Sequence, residues 1–237
     1  MNEENPIALQ AYEELAEAYA ACVETKPHNA YYDRPAVLSL LPEVAGRRVL
    51  DAGCGPGVYA DALLQMGAEV MALDVSPKMV ALAQQRLGNR AEVMQADITK
   101  PMPFLNDESF DLVVSPLVLG YVKDLKPVYQ EFHRVLRRPG HFVFSESHPF
   151  FDFVLFKTNN YFATELVGCE WKGFEKRVFM PCYRRPLSAI VNPLIEVGFI
   201  LERILEPVPT DDFKRADPKD YEELSRRPGF ICFRARK

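Results

Sequence analysis

Three glycines at alternate positions, in Asp51-Ala52-Gly53-Cys54-Gly55-Pro56-Gly57, follow a short apolar strand and precede a helix-forming run. Glycine has no Cβ, so the backbone of such a loop can approach a ligand closely. Downstream, residues 69–73 are predicted to form a second buried strand that ends in Asp74. An acid at the end of the second strand, about 20 residues beyond the glycines, is placed to bind both hydroxyls of a ribose. The two features predict a nucleoside-binding βαβ unit.

The glycine spacing disfavours a nicotinamide dinucleotide. The dinucleotide fingerprint is G-x-G-x-x-G, whereas Gly57 comes one position early and Val58 stands where the fingerprint has glycine. A carboxylate at Asp51 would also repel a pyrophosphate. It is placed instead to hold the loop amides and to face a cationic ligand. A nicotinamide-dependent oxidoreductase therefore stays the less favoured alternative.

At these residues the chain resembles the class I S-adenosylmethionine-dependent methyltransferases, in their small-molecule, methyltransferase type 11-like form. Their first motif resembles Val49–Gly57, and their ribose-binding acid resembles Asp74. The resemblance implies an enzyme that binds S-adenosyl-L-methionine and transfers its methyl group to a small-molecule acceptor by in-line displacement. A protein that binds this cofactor without turnover is a second alternative, because many relatives carry a polar residue about where Gly120 stands.

Composition and charge limit which other classes of protein fit this sequence. The 237 residues are 48% hydrophobic and 26% charged, which is ordinary for one globular domain. A net charge of −5 gives no pull toward nucleic acid. No apolar run reaches the length of a membrane span, and the first residues lack a signal-peptide pattern. Five scattered cysteines without a C-x-x-C pair predict a reduced, cytoplasmic protein without a metal site. We expect a monomer or a homodimer.

Alternating strand and helix patterns predict an α/β fold with a Rossmann-like, doubly wound sheet. The predicted core has strands at 48–51, 69–74, 91–95, 111–115 and 141–146, with helices at 58–66, 76–87 and 125–136. The resemblance implies that late strands at 199–206 and 230–236 form an antiparallel hairpin on a mainly parallel, seven-stranded sheet. We expect one domain, 1–237, in four parts: a helical lid (1–45, with a helix that starts at Asn5), a cofactor-binding core (46–147), an aromatic substrate-side insertion (148–185), and a C-terminal helix with the hairpin (186–237).

The resemblance also assigns further cofactor contacts. Asp97, at the end of the third strand, resembles the acid that accepts a hydrogen bond from the adenine amino group. Val75, Met79 and Ile98 would supply apolar walls for the purine, or belong to the core alone. Leu117, after the fourth strand, would lie near the sulfonium. The glycine-loop residues complete the expected cofactor site: Asp51, Gly53, Cys54, Gly55 and Gly57.

The segment 150–183 holds 10 of the chain's 27 aromatic residues. It follows the fifth strand, over the carboxyl edge of the sheet, where an apolar lid could exclude water from a methyl donor. A small hydrophobic core beneath a long connecting segment explains the same density of aromatic residues equally well. Two candidate catalytic residues are His148 and Tyr19. A lone histidine is more often structural, so a structural role is the alternative for His148. The candidate substrate-binding residues are Tyr12, Tyr121, Tyr161 and Arg184.

Overall fold

A seven-stranded sheet forms the centre of the computed structural model, which describes residues 6–172, 174 and 177–237. The strands are β1 (Arg48–Ala52), β2 (Glu69–Asp74), β3 (Glu92–Gln95), β4 (Phe110–Pro116), β5 (Leu136–Ser147), β6 (Glu165–Trp171), β7 (Val178–Arg184), β8 (Ile200–Leu205) and β9 (Phe230–Arg236). The large sheet has the order β3-β2-β1-β4-β5-β9-β8. Strands β1 to β5 pair in parallel, whereas β9 pairs antiparallel with both β5 and β8. The predicted fold class, with its C-terminal antiparallel hairpin, is confirmed.

Helices cover both faces of this sheet. They are α1 (Leu9–Cys22), α2 (Arg34–Ser39), α3 (Val58–Gln65), α4 (Pro77–Leu87), α5 (Leu125–Val135), α6 (Pro149–Leu155), α7 (Leu187–Val197), α8 (Asp211–Ala216) and α9 (Pro218–Leu224). Apolar side chains of α5 and α7 pack with Phe142 and Phe144 of β5 in one core layer. Side chains of α2, α3 and α4 pack with Val49 of β1 in the other layer. Both faces are thus buried, as expected for a mainly parallel sheet.

Local signals explain where the core helices begin. The Ser76 hydroxyl accepts a hydrogen bond from the Met79 amide at 3.1 Å, and Pro77 occupies the first helical position of α4. Serine caps and N-terminal prolines favour such a start. Helix α7 ends at Gly198, whose φ of 110° is accessible mainly to glycine. Helix α4 lies within one residue of its predicted bounds, 76–87, and α7 lies within one residue of the helix that the pattern of 186–197 predicts.

Two regions differ from the predicted elements. Strand β5 already begins at Leu136, so Pro139 and Gly140 lie inside a strand rather than in a turn before it. Its pairing with β4 shifts register between Phe110 and Leu112, which accommodates the extra residues. The insertion contains α6 and a separate two-stranded sheet of β6 and β7. The alternating pattern of 177–183 predicts a strand that corresponds to β7, whereas α6 and β6 are not predicted.

The helical N-terminal region consists of α1, a π-helix at Asn29–Asp33 and α2. The predicted start of the first helix at Asn5 lies outside the described residues. Across the described part of the chain, no helix combines the length and apolarity needed to cross a membrane.

Candidate functional site

A cavity of about 530 Å³ opens at the carboxyl ends of the parallel strands. In open α/β sheets this edge is where ligands bind. Its floor comes from the residues that follow five strands, namely 53–56, 74–76, 96–99, 116–118 and 146–147. Residues of α1 and of 26–34 form one wall, and residues of α6, β6 and β7 form another. The N-terminal region and the insertion therefore meet over one site.

Asp74 is held at the centre of this floor by two backbone amides. Its Oδ2 accepts a hydrogen bond from the Gly55 amide at 2.8 Å, and its Oδ1 accepts one from the Ser76 amide at 2.9 Å. Burial raises the pKa of Asp74, while these amide bonds oppose the shift. A carboxylate oxygen accepts about two hydrogen bonds. Each oxygen of Asp74 thus keeps a free position for a ligand hydroxyl, as the ribose assignment requires.

The three loop glycines serve different purposes. All have positive φ: 88° at Gly53, 52° at Gly55 and 82° at Gly57. A Cβ at Gly53 would lie 2.3 Å from Val118 Cγ2, and one at Gly57 would lie 3.3 Å from Ala83 Cβ. A Cβ at Gly55 would meet no protein atom within 4 Å, although Gly55 lines the cavity. Gly55 is the loop glycine whose missing side chain leaves room for a ligand, whereas Gly57 lies outside the cavity lining and packs against α4.

Asp51 departs from its expected role. The loop amides that it was expected to hold donate elsewhere: those of Gly53 and Cys54 to the Leu73 carbonyl at 2.7 and 2.9 Å, and that of Gly55 to Asp74. Asp51 is fully buried in β1, and neither of its carboxylate oxygens has a hydrogen-bond partner among the described residues. Burial, and then the charge of Asp74, raise the pKa of Asp51 to about 7. Asp51 lies outside the cavity lining, contrary to its predicted contact with the cofactor.

The residues expected around adenine line the cavity together. Asp97 Oδ1 accepts hydrogen bonds from the Thr99 amide at 2.9 Å and the Thr99 hydroxyl at 2.6 Å. Its other oxygen accepts none from the described residues, so it is open to an amino group. Met79 and Ile98 are buried side chains that contribute apolar walls. Val75, Cys54 and Leu117 also line the cavity.

Helix α1 is attached to the ribose end of the site through Glu13. Glu13 Oε1 accepts hydrogen bonds from the Ser76 hydroxyl and from the Lys78 amide, the latter at 3.1 Å. The Lys78 ammonium donates to the Glu13 carbonyl at 2.7 Å. Because the Ser76 amide bonds to Asp74, a continuous chain of hydrogen bonds joins α1 to the ribose-binding carboxylate.

Three tyrosines form the wall opposite the glycine loop. The hydroxyls of Tyr12 and Tyr121 lie 2.8 Å apart, and the rings of Tyr12 and Tyr19 meet edge to face at 5.9 Å. All three line the cavity. Burial raises the pKa of Tyr12 and of Tyr19 well above the usual value for a phenol. Both phenols thus stay protonated at neutral pH, so Tyr19 is suited to donate a hydrogen bond and not to accept a proton.

His148 lies outside the cavity lining, contrary to the prediction of a catalytic base. Its Nδ1 accepts a hydrogen bond from the Phe150 amide at 3.1 Å, which caps α6. Its Nε2 lies 2.8 Å from Glu206 Oε1. Both ring nitrogens are therefore engaged. Pro149 starts a helix directly after strand β5, so His148 occupies the capping position of α6.

Arg184 and Tyr161 also lie outside the cavity lining, contrary to their predicted contact with the substrate. The Arg184 guanidinium is fully buried. It donates to the carbonyls of Asn160, Tyr161 and Ala163 at 2.8, 3.1 and 2.7 Å, and to Glu165 Oε2 at 2.6 Å. The Tyr161 hydroxyl accepts from the Leu187 amide at 3.3 Å. Arg184 organises the loop before β6, so its donors are used within the fold.

Charged cavity residues that the sequence reasoning missed come from three places. One group surrounds the π-helix, where the buried Asp33 accepts a hydrogen bond from the Tyr59 hydroxyl at 2.6 Å. Burial raises the pKa of Asp33 to about 6. The second group is Glu146 at the end of β5 and Asp152 of α6. Glu146 stands at a strand end, as Asp74 and Asp97 do, so the same signal could have found it. The third group is Glu170 of β6 and Lys172, which follows that strand. The missed charged cavity residues are Lys26, Asp33, Arg34, Glu146, Asp152, Glu170 and Lys172.

Comparisons with known proteins agree with this site. Residues 50–144 match the family model described as Methyltransferase domain. The chain is 27% identical over 231 residues to an uncharacterized protein of Haemophilus influenzae, with 88% of each chain covered. It is 38% identical over 143 residues to a malonyl-[acyl-carrier protein] O-methyltransferase of Enterobacter lignolyticus, but the match covers 59% of this chain and only about half, 55%, of that relative.

A solved structure covers more of the chain. The S-adenosylmethionine dependent methyltransferase from Mesorhizobium loti superposes with a TM-score of 0.71 at 29% identity. The superposition covers 91% of this chain and 100% of that one. It thus extends beyond the segment 50–144 that the family model matches.

Proposed function

We propose that this chain, which belongs to the class I S-adenosylmethionine-dependent methyltransferases, methylates a small-molecule acceptor in the cavity at the carboxyl edge of its sheet. The family membership gives S-adenosyl-L-methionine as the cofactor. The observation that carries the proposal is Asp74, whose two oxygens are oriented by backbone amides and each keep an acceptor position toward the cavity. Asp97 and the open space at Gly55 extend the same site toward adenine and the rest of the cofactor.

When bound, the cofactor supplies a methyl group that its sulfonium charge already activates. The chain's own contribution is alignment and exclusion of water. The glycine loop, Asp74 and Asp97 would hold the donor, while the tyrosine wall and the β6–β7 sheet would orient the acceptor for in-line displacement. Alignment of two reactants in a closed site can supply about 7 kcal/mol of the barrier reduction. Direct transfer of this kind needs no covalent intermediate on the protein.

The form of the cavity supports an acceptor of small size. Its volume of about 530 Å³ must hold the cofactor as well as the acceptor. Small-molecule sites typically have ~300–1,000 Å³ and a largely apolar lining. The curated relative named for a malonyl-[acyl-carrier protein] acceptor matches over about half of its length. That match does not transfer its acceptor, because the acceptor walls here come largely from 148–185.

Calorimetry with S-adenosylhomocysteine tests the cofactor assignment directly. We expect binding by the full chain, and no competing binding of NADH. A screen of metabolites for S-adenosylhomocysteine release in the presence of S-adenosylmethionine then tests turnover. Absence of cofactor binding would refute the proposal, and binding without release for any acceptor would favour a binding protein.

A further inference from the structure

Glu146 is a buried acid of the cavity lining, and no described residue forms a hydrogen bond with its Oε1. It is 4% exposed at the end of β5 and belongs to the cavity lining. Its Oε1 is inaccessible to solvent and accepts no hydrogen bond from any residue that the structure describes. A buried carboxylate without donors is costly, so such groups normally have partners. Because Glu146 also belongs to the cavity lining, a ligand in the cavity can bring the donors that the described residues do not provide to its carboxylate.

The groups that interact electrostatically with Glu146 come from three elements and one loop. They are Asp152 of α6, Tyr129 of α5, Cys182 of β7 and Arg185, which follows β7. Arg185 is the cation among them, and it is buried outside the cavity lining, where it donates to the Val122 carbonyl. Asp152, in contrast, lines the cavity beside Glu146 and is 8% exposed. The surface that a ligand meets here is therefore acidic.

The position of Glu146 along the strand places it near the expected reaction centre. Ser145 pairs with Pro116 in the sheet, and the Leu117 amide donates to the Ser145 carbonyl at 2.9 Å. Leu117 has a φ of 56°, an uncommon conformation for a leucine. The family resemblance expects the sulfonium near Leu117. Glu146 follows Ser145 directly, so its carboxylate lies beside the segment where a methyl group would be transferred.

We propose that Glu146, assisted by Asp152, binds the methyl acceptor through an amine, so that the enzyme is an N-methyltransferase. This inference rests on the proposed function. An ammonium group supplies several N–H donors and a positive charge to an acidic surface, and charge-assisted hydrogen bonds of this kind are the strong ones. A carboxylic acid acceptor would be repelled by the same surface. An alcohol would supply one donor and no charge.

The chemistry balances without a further reactant. An ammonium acceptor transfers one proton to the Glu146 carboxylate and becomes a neutral amine. The nitrogen lone pair then forms the N–C bond as the C–S bond breaks, and S-adenosylhomocysteine leaves with the electron pair of that bond. The proton on Glu146 passes to solvent. Burial raises the pKa of Glu146 to about 7, and burial with the charge of Glu146 raises the pKa of Asp152 to about 7. A carboxyl in this range can accept and release a proton at neutral pH.

Three probes of the same size and ring test the acceptor class: phenethylamine, 2-phenylethanol and phenylacetate. Their binding to the full chain loaded with S-adenosylhomocysteine is measured by calorimetry at pH 7.5. We expect the amine to bind at least tenfold more tightly than the other two. Glu146→Gln should lose at least tenfold of the amine affinity and little of the alcohol affinity. Asp152→Asn should act in the same direction. Glu206→Gln, which removes a carboxylate outside the cavity, should change neither affinity.

Other results would overturn the inference. They are equal or tighter binding of the alcohol or the acid, no binding of the amine at millimolar concentration, or an amine affinity that survives both Glu146→Gln and Asp152→Asn. The affinity for S-adenosylhomocysteine alone separates the two proposals. If the wild-type chain does not bind it, the proposed function fails; if it binds and the amine does not, only the amine assignment fails.

Discussion

Gly46 and Gly55 offer a matched pair of substitutions that separates ligand contact from backbone strain. Both have positive φ, 68° and 52°, and an added Cβ at either position meets no protein atom within 4 Å. Gly46 is exposed in the turn before β1, whereas Gly55 lines the cavity. Alanine in the left-handed conformation costs roughly 1–2 kcal/mol. For a chain of this size that corresponds to a Tm lower by about 2–8 °C, and the loss should be similar in the two variants.

Cofactor binding should distinguish them. In Gly55→Ala the new methyl group occupies the space kept open for a ligand, so the affinity for S-adenosylhomocysteine should fall at least tenfold, which is about 1.4 kcal/mol. In Gly46→Ala the affinity should stay within twofold of wild type. Calorimetry gives the affinities and scanning calorimetry the Tm values. If Gly55→Ala and Gly46→Ala bind the cofactor equally, the glycine loop is not the binding site.

Three further outcomes follow from the site. Asp74→Ala should weaken S-adenosylhomocysteine binding at least tenfold in calorimetry, since two charge-assisted hydrogen bonds are each worth about 1.5–3 kcal/mol; unchanged affinity in a folded variant would remove Asp74 from the site. His148→Ala should lower the stability by about 1 kcal/mol through loss of the α6 cap, while turnover stays within threefold; a hundredfold loss of turnover would instead identify a base. The pKa of Glu146 is raised to about 7 in the fold from an ordinary 4.5. Its contribution to stability is therefore present below pH 4.5 and lost as the pH rises through 7. The Tm of Glu146→Gln should accordingly improve relative to wild type between pH 5 and pH 8, and a constant difference in Tm would contradict this.

The sequence was sufficient to predict those features of the fold that depend on interactions between neighbouring residues. Ser76 and Pro77 mark the start of α4 because a serine cap and an N-terminal proline act within one turn. Strand β2 and its terminal Asp74 follow from an apolar run bounded by a polar residue. The position of the cavity followed equally, because the carboxyl ends of parallel strands share one edge.

The sequence was not sufficient to predict the roles of side chains whose partners come from distant parts of the chain. An arginine at position 184 could bind an anionic group of a substrate. Its donors are instead used by three backbone carbonyls and by Glu165 within the same insertion. His148 follows a strand, as a catalytic residue would, yet the helix started by Pro149 turns its ring into a cap. Glu146 is the last residue of the predicted fifth strand, so its place at the cavity could have been predicted. The absence of a donor for its Oε1 among the described residues depends on packing, and only the folded arrangement reveals it.

The hydrogen bonds that run from Glu13 through Ser76 to Asp74 have a consequence for the kinetics of the enzyme. The same serine supports both α1 and the carboxylate expected to hold the ribose. If α1 moves when the site is filled, its position and the occupancy of the ribose site would be thermodynamically linked. Linkage is reciprocal: whatever a bound nucleoside adds to the closed position of α1, a closed α1 adds to nucleoside affinity. Tight closure therefore retains the spent S-adenosylhomocysteine as well as the fresh donor. Release of the product, gated by α1, would then set the upper limit on turnover.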